Sequence, residues 1–254
     1  MSRSPMSFKP SPAQILPARL SEPRWRPGLA AQPLHTEIFA PAAEASGAGL
    51  ALALARDALA ASAQGGDARH VLWVQDRKAI RLGGRPYVHG MPPVWRARLI
   101  HVTASTPEDA LFALEEGLRC RDLACVIGEI AGNPRALDFT ASRRLSLTAE
   151  KHGVRLWLVR LDAAPDLSSA RMRWQARAAP SPRPRWNPDA PGSATWHAEL
   201  FRARGYVPGE WMLNDDHSTL RVCPDPAAEP ASPPHPRHLV RPTVGRSLAA
   251  RARA

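Results

Sequence analysis

Residues 123–128 read LACVIG, six positions without one charged side chain. A strand of that composition is apolar towards both of its faces. It therefore belongs in a parallel sheet covered by helices on both sides, because a half-exposed antiparallel strand alternates apolar and polar residues. Runs of similar length recur at 70–75 (HVLWVQ), 98–103 (RLIHVT) and 154–161 (VRLWLVRL). Helix-forming stretches separate them. Residues 48–62 are dense in Ala and Leu and stop before Gly65-Gly66. Thr106 reads as an N-cap, Pro107 as the first helical residue, and Glu108 and Asp109 as first-turn acids. Leu111, Leu114 and Leu118 then share one face. A third helix is expected over 134–152, with Leu137, Ala141 and Leu145 in one stripe and Gly153 past its end. The alternation predicts an α/β fold with a mostly parallel sheet flanked by helices.

The pattern changes after residue 165. Met172, Trp174 and Ala176 alternate with polar positions, as do residues 195–201, and 210–213 and 219–222 are short strand candidates. These predict antiparallel strands added at the C-terminal side of the sheet. The link PSPRPRWNPDAPG is read as a flexible connection, and Gly83-Gly84 and Pro92-Pro93 as marks of one long loop. Trp157, Trp174, Trp186, Trp196 and Trp211 mostly alternate with polar positions, which favours core packing over base stacking.

Charge divides the chain. The net charge is +11, from 34 basic and 23 acidic residues, and only Lys9, Lys78 and Lys151 are lysines. Both ends are basic, rich in Pro and poor in apolar periodicity. Residues 1–33 and 224–254 are therefore expected to be disordered, with one domain over 34–223. No apolar run approaches the roughly 20 residues of a membrane span, and residues 1–12 hold no signal-peptide core. Cys120, Cys125 and Cys223 have no CxxC spacing. An exported protein is therefore not expected; the expected location is cytoplasmic, with nucleoid association through the basic stretches.

One stretch carries a more specific echo. His35 begins HTEIFAPAAEASGAGLA, which resembles the strand, loop and helix opening the nucleotide-binding core of RecA-type recombinases. Ser46 and Gly47 stand for the turn. Ala48 falls where the phosphate-binding Lys belongs and Gly49 where the metal-binding hydroxyl belongs. Without those groups a phosphate loop has neither its cation nor its Mg²⁺ ligand. The acid of the third strand is expected at Gly128, with Glu129 one position late. This reading implies no enzymatic activity and no cofactor or metal. Five further segments, PEDAL at 107–111, ALEEGLRC at 113–120, LDFTASRRL at 137–145, ARMRW at 170–174 and PGEW at 208–211, together resemble the ImuA family of damage-inducible mutagenesis cassettes. That resemblance covers about 34–222. It implies a RecA-like, non-catalytic accessory of SOS translesion DNA synthesis. The implied partners are an ImuB-like, Y-family-polymerase-related protein, an error-prone polymerase of the alpha-subunit type, and RecA. Two alternatives stay open: a division inhibitor resembling SulA, and a weak RecA-like ATPase using Glu129.

Charge supplies the remaining candidates. Residues 135–185 hold eleven basic and four acidic residues. Arg171, Arg173 and Arg177 form a row opposite Met172, Trp174 and Ala176, and Arg143, Arg144, Arg155 and Arg160 extend it. Such a row tracks phosphates in a weak DNA contact, or is a solvated face in an Arg-rich chain. Leu239, Val240, Val244 and Leu248 lie among arginines that include Arg251, a candidate docking peptide or the end of a solvated linker. Asp215, Asp216 and His217 lack a further ligand at metal spacing.

Overall fold

The computed structural model describes residues 23–62, 67–187, 189–216 and 218–224. The docking candidates Leu239, Val240, Val244, Leu248 and Arg251, together with His217, lie outside the described residues.

The strands are β1 (His35–Ala40), β2 (His70–Asp76), β3 (Leu99–Ala104), β4 (Leu123–Ala131), β5 (Arg155–Leu161), β6 (Met172–Ala178), β7 (Ala194–Ala203), β8 (Gly209–Asp215) and β9 (Leu220–Cys223). The helices are α1 (Ser46–Ser62), α2 (Arg77–Gly83), α3 (Pro93–Arg96), α4 (Pro107–Arg119) and α5 (Phe139–His152). All nine strands join one sheet in the order β3-β2-β4-β5-β1-β6-β7-β8-β9. The first six pair in parallel, and β7, β8 and β9 run antiparallel. The expected antiparallel group therefore begins one strand later: β6 lies parallel to β1, with Ile38 opposite Trp174. Every residue of β4 is buried, as its composition requires.

Each face of the sheet has its own core. On the α1 face, Leu50, Leu54, Trp73, Trp157, Val159, Trp174, Trp196 and Trp211 pack together. On the other, Leu111, Leu114, Leu118 and Leu145 of α4 and α5 cover Leu72, Val126, Leu156 and Leu158. Four of the five tryptophans singled out above are core residues, and Trp186 is 97% exposed.

Three local expectations change. α5 starts at Phe139 rather than 134, because Asp138 caps it by accepting the Ala141 N–H at 2.7 Å. The segment before it is a turn closed by Leu137 N–H on the Pro134 carbonyl. The region 77–98 holds α2, a short 3₁₀ turn over Val88–Gly90 and α3 rather than one loop. The Asp76 carboxylate caps α2 by accepting the Ala79 N–H. Finally, residues 23–33 pack onto the domain. Trp25 is buried edge-to-face against Trp174, with centroids 4.8 Å apart, and against Trp211. Asp57 accepts the Gly28 N–H with both oxygens, the Ala31 carbonyl accepts the Tyr206 hydroxyl at 2.6 Å, and Arg155 donates to the Ala30 and Gln32 carbonyls. One aromatic with backbone contacts makes no periodic pattern, so this strap is silent in the sequence.

Candidate functional site

The loop between β1 and α1 is held by the chain's own carboxylates. The Ala42 N–H donates to Asp162 Oδ1 at 2.8 Å, and Glu44 Oε2 accepts the Ala178 N–H at 2.7 Å. A phosphate would have to displace Asp162 from that N–H. Ser46, the first residue of α1, is buried, and its hydroxyl has no hydrogen-bond partner among the described residues. Gly49 faces the Trp196 indole so closely that a Cβ there would lie 2.9 Å from Cζ2. A Ser or Thr side chain fits at that position only if the indole moves.

Glu129 lies inside β4, because the strand continues to Ala131 instead of ending at Gly128. Trp73 Nε1 donates to Glu129 Oε1 at 2.6 Å, and Gln75 Nε2 donates to the same oxygen at 3.1 Å. Gln75 Nε2 also donates to the Gly84 carbonyl, and its Oε1 lies 2.9 Å from His101 Nε2. The acid forms part of the wall of a cavity of about 390 Å³, with Ala48, Gly49, Tyr87 and Met91. Burial pushes the Glu129 pKa up to about 7, against the pull of the two hydrogen bonds, and the nearby Asp76 carboxylate adds to the rise. An acid whose pKa is raised by folding keeps its proton in the native state while the unfolded chain ionises. The Glu129 contribution to native stability therefore falls as pH rises from about 4.5 to about 7, while buried His35, whose pKa is lowered to about 4, contributes in the opposite sense. Glu129→Gln keeps an oxygen for both donors and removes the titration. Its urea-unfolding stability should gain on the parent's across that window and exceed it at about pH 8 by on the order of 2–3 kcal/mol. Parallel curves for the two proteins would contradict this.

The arginine row is not one surface. Arg173 is only 4% exposed and Arg160 only 1%. Both point at Glu37, which is fully buried: Arg173 Nε donates to Oε2 at 2.7 Å, and Arg160 Nη1 is 3.9 Å from Oε1. The Ser168 hydroxyl donates to Glu37 Oε1 at 2.7 Å. Both guanidinium groups lie over the Phe39 ring, and Arg173 also lies over Phe201. These contacts make the face opposite Trp174 interior at Arg173 rather than solvated. Arg155 is committed to the N-terminal strap, and Arg144 pairs with Glu115 on α4 at 2.6 Å. Arg177 is exposed near the end of β6.

Arg143 and Arg171 do meet. They line a groove of about 880 Å³ between α5 and the β6–β7 side of the sheet, together with Arg202 and Arg204. Phe139, Arg143 and Leu147 occupy one face of α5 at successive i+4 positions, and Phe139 and Leu147 are 40% and 53% exposed. Arg171 pairs with Glu150 at 2.8 Å. Among the described residues, no carboxylate pairs with Arg143, Arg202 or Arg204. Ser168 and Phe201 belong to both the groove and the Glu37 cluster, so the buried ion network lies directly beneath the open surface.

Among the described residues, no three His, Cys, Asp or Glu side chains gather at metal-binding distance, and no helix is long and apolar enough to cross a membrane. No family model matches the chain. Protein ImuA of Caulobacter vibrioides, from strains NA1000/CB15N and CB 15, is 34% identical over 166 residues. Over that stretch the chain is similar to ImuA. The alignment covers 61% of this chain and 60% of ImuA, so the chain spans about three-fifths of the relatives it matches.

Two parts of the structure have no motif in the sequence. The groove combines α5 with residues 201–208, sixty positions later, and only the Phe139–Arg143–Leu147 spacing hints at it. The Glu37 cluster had one signal: a lone carboxylate inside the apolar strand HTEIFA. A charge in a strand buried along its whole length needs a partner of opposite sign.

Proposed function

We propose that this chain is a non-catalytic, RecA-like subunit of a damage-inducible mutagenesis system. It works beside an ImuB-like, Y-family-polymerase-related protein and an error-prone polymerase. The relationship to ImuA supports the pathway. The observation that carries the non-catalytic part is the junction of β1 and α1: Ala48 and Gly49 in the first turn of α1 replace the cation and the metal-binding hydroxyl, Trp196 packs on Gly49, and Asp162 holds the Ala42 N–H of the loop. Trp73 and Gln75 both donate to Glu129 Oε1.

A subunit without chemistry acts by binding, and the groove supplies the surface. Its exposed Phe139, Leu147 and Val207 beside Arg143, Arg202 and Arg204 fit a protein segment that carries both apolar side chains and carboxylates. Contacts to RecA and a weak DNA contact remain part of the proposal, on charge alone.

Titration of the purified chain with Mg-ATP tests the non-catalytic reading. The expected result is no saturable binding by calorimetry and no phosphate release above that of the buffer. Turnover that disappears in Glu129→Gln would replace it with the ATPase reading.

A further inference from the structure

The loop after β1 is not the only place where this sheet presents strand ends to a ligand. β2 and β4 are neighbours, yet the chain leaves them in opposite directions. α2 follows β2 onto the α1 face, where Ala79 joins that core. α5 follows β4 onto the other face, where Leu145 joins the second core. Open α/β sheets take ligands in the crevice such a reversal leaves at the carboxyl ends of the strands.

Here that crevice is about 310 Å³ and is lined by Asp76, Arg77, Lys78, Arg81, Ser105 and Asn133, with small residues between them. Its frame is already satisfied. The Asp76 carboxylate accepts the N–H groups of Ala79 and Ala131 and so ties α2 to the end of β4. Asn133 is bonded to both backbone groups of Ala164 and to Asp166. The cations are what remains. Arg77, Lys78 and Arg81 are exposed, and among the described residues none of them has a carboxylate at ion-pair distance.

The position of Lys78 adds an independent point. Its Nζ lies 3.6 Å from where a Cβ on Gly132 would be, over the backbone that follows β4. Gly132 has φ +68°, a conformation that favours glycine. In a chain where Arg replaces Lys almost everywhere, one of three lysines stands here. Its compact ammonium suits a phosphate oxygen, and the neighbouring guanidinium groups suit the same ligand through paired N–H donors. No aromatic side chain lines the crevice, so a ligand would be held by its phosphate and not by a base.

We propose that the crevice between the ends of β2 and β4 is a phosphate-binding site, in which Lys78 and Arg81, supported by Arg77, hold a phosphate group. It is separate from the loop after β1, since β5 stands between β4 and β1 in the sheet. The phosphate has two candidate sources, a small phosphorylated ligand or the backbone of single-stranded DNA.

Calorimetric titration of the full chain with inorganic pyrophosphate tests the site. Lys78→Gln/Arg81→Gln is compared with Arg183→Gln/Arg185→Gln, which removes the same charge from exposed positions elsewhere. The expected result is saturable binding to the parent and the control, weakened about tenfold or more in Lys78→Gln/Arg81→Gln. Circular dichroism melting checks that the variant is folded, and Arg81→Gln alone is read if the double variant is not. An oligothymidylate followed by fluorescence anisotropy identifies the source. Displacement of the oligonucleotide by pyrophosphate, with the same loss in the crevice variant, assigns a DNA backbone. Pyrophosphate binding without oligonucleotide competition assigns a small ligand. No pyrophosphate binding, or a loss no greater in the crevice variant than in the control, overturns the proposal.

Discussion

Glu37→Leu should remove about 3–5 kcal/mol of stability, a large share of what a domain of this size possesses. The fully buried Glu37 carboxylate is the counter-charge for Arg173 at 2.7 Å and for Arg160 at 3.9 Å, and both arginines are themselves nearly inaccessible to water. Asp166, the other acid nearby, is more than a third exposed and lies 3.4 Å from Arg160 and 3.7 Å from Arg173. It cannot replace the buried partner. Leucine would leave both cations to share one partly hydrated carboxylate, Asp166. It would also take the acceptor from the Ser168 hydroxyl. The penalty comes from uncompensated charge more than from the lost attraction. Glu37→Leu/Arg160→Met/Arg173→Met should therefore recover most of the loss, since an apolar replacement of a whole buried ion cluster is often neutral. Urea unfolding monitored by tryptophan fluorescence measures both. A loss below about 1 kcal/mol in Glu37→Leu, or a triple variant worse than the single one, would contradict this account.

The sequence made the parallel half of the sheet legible because its strands are short, apolar and separated by helices with readable caps. Thr106 accepts the Asp109 N–H as its position implies. The altered loop before α1 was legible too, since a missing Lys and hydroxyl are visible residue by residue. What it hid depends on neighbours far along the chain. Arg173 looks solvent-facing by alternation alone. It is buried because it pairs with Glu37 and lies over the Phe39 and Phe201 rings, and nothing local to RMRW announces a glutamate 136 positions earlier. Trp25 stands in a Pro-rich stretch without periodicity, and only Trp174 and Trp211 give it a core to enter. Arg143 and Arg171 were recognised for their charge, but the groove that gathers them with Arg202 and Arg204 follows from the return of β7 alongside β6.

The groove carries the second large expected effect, on function instead of stability. Arg143 and Arg204 are exposed and have no carboxylate partner among the described residues, so reversing their charge should change folding stability by no more than about 0.5 kcal/mol. Recognition is a different matter. Two like charges set against an acidic segment cost several kcal/mol in binding, which converts a micromolar complex into one too weak to form in the cell. The most direct measurement is the damage-induced mutation frequency of a strain lacking this chain, complemented with the parent or with Arg143→Glu/Arg204→Glu at matched protein levels. The account predicts that the parent restores mutation and that the variant leaves it at the level of the empty vector. Full restoration by the variant, or a deletion strain that mutates as often as the complemented one, would contradict it.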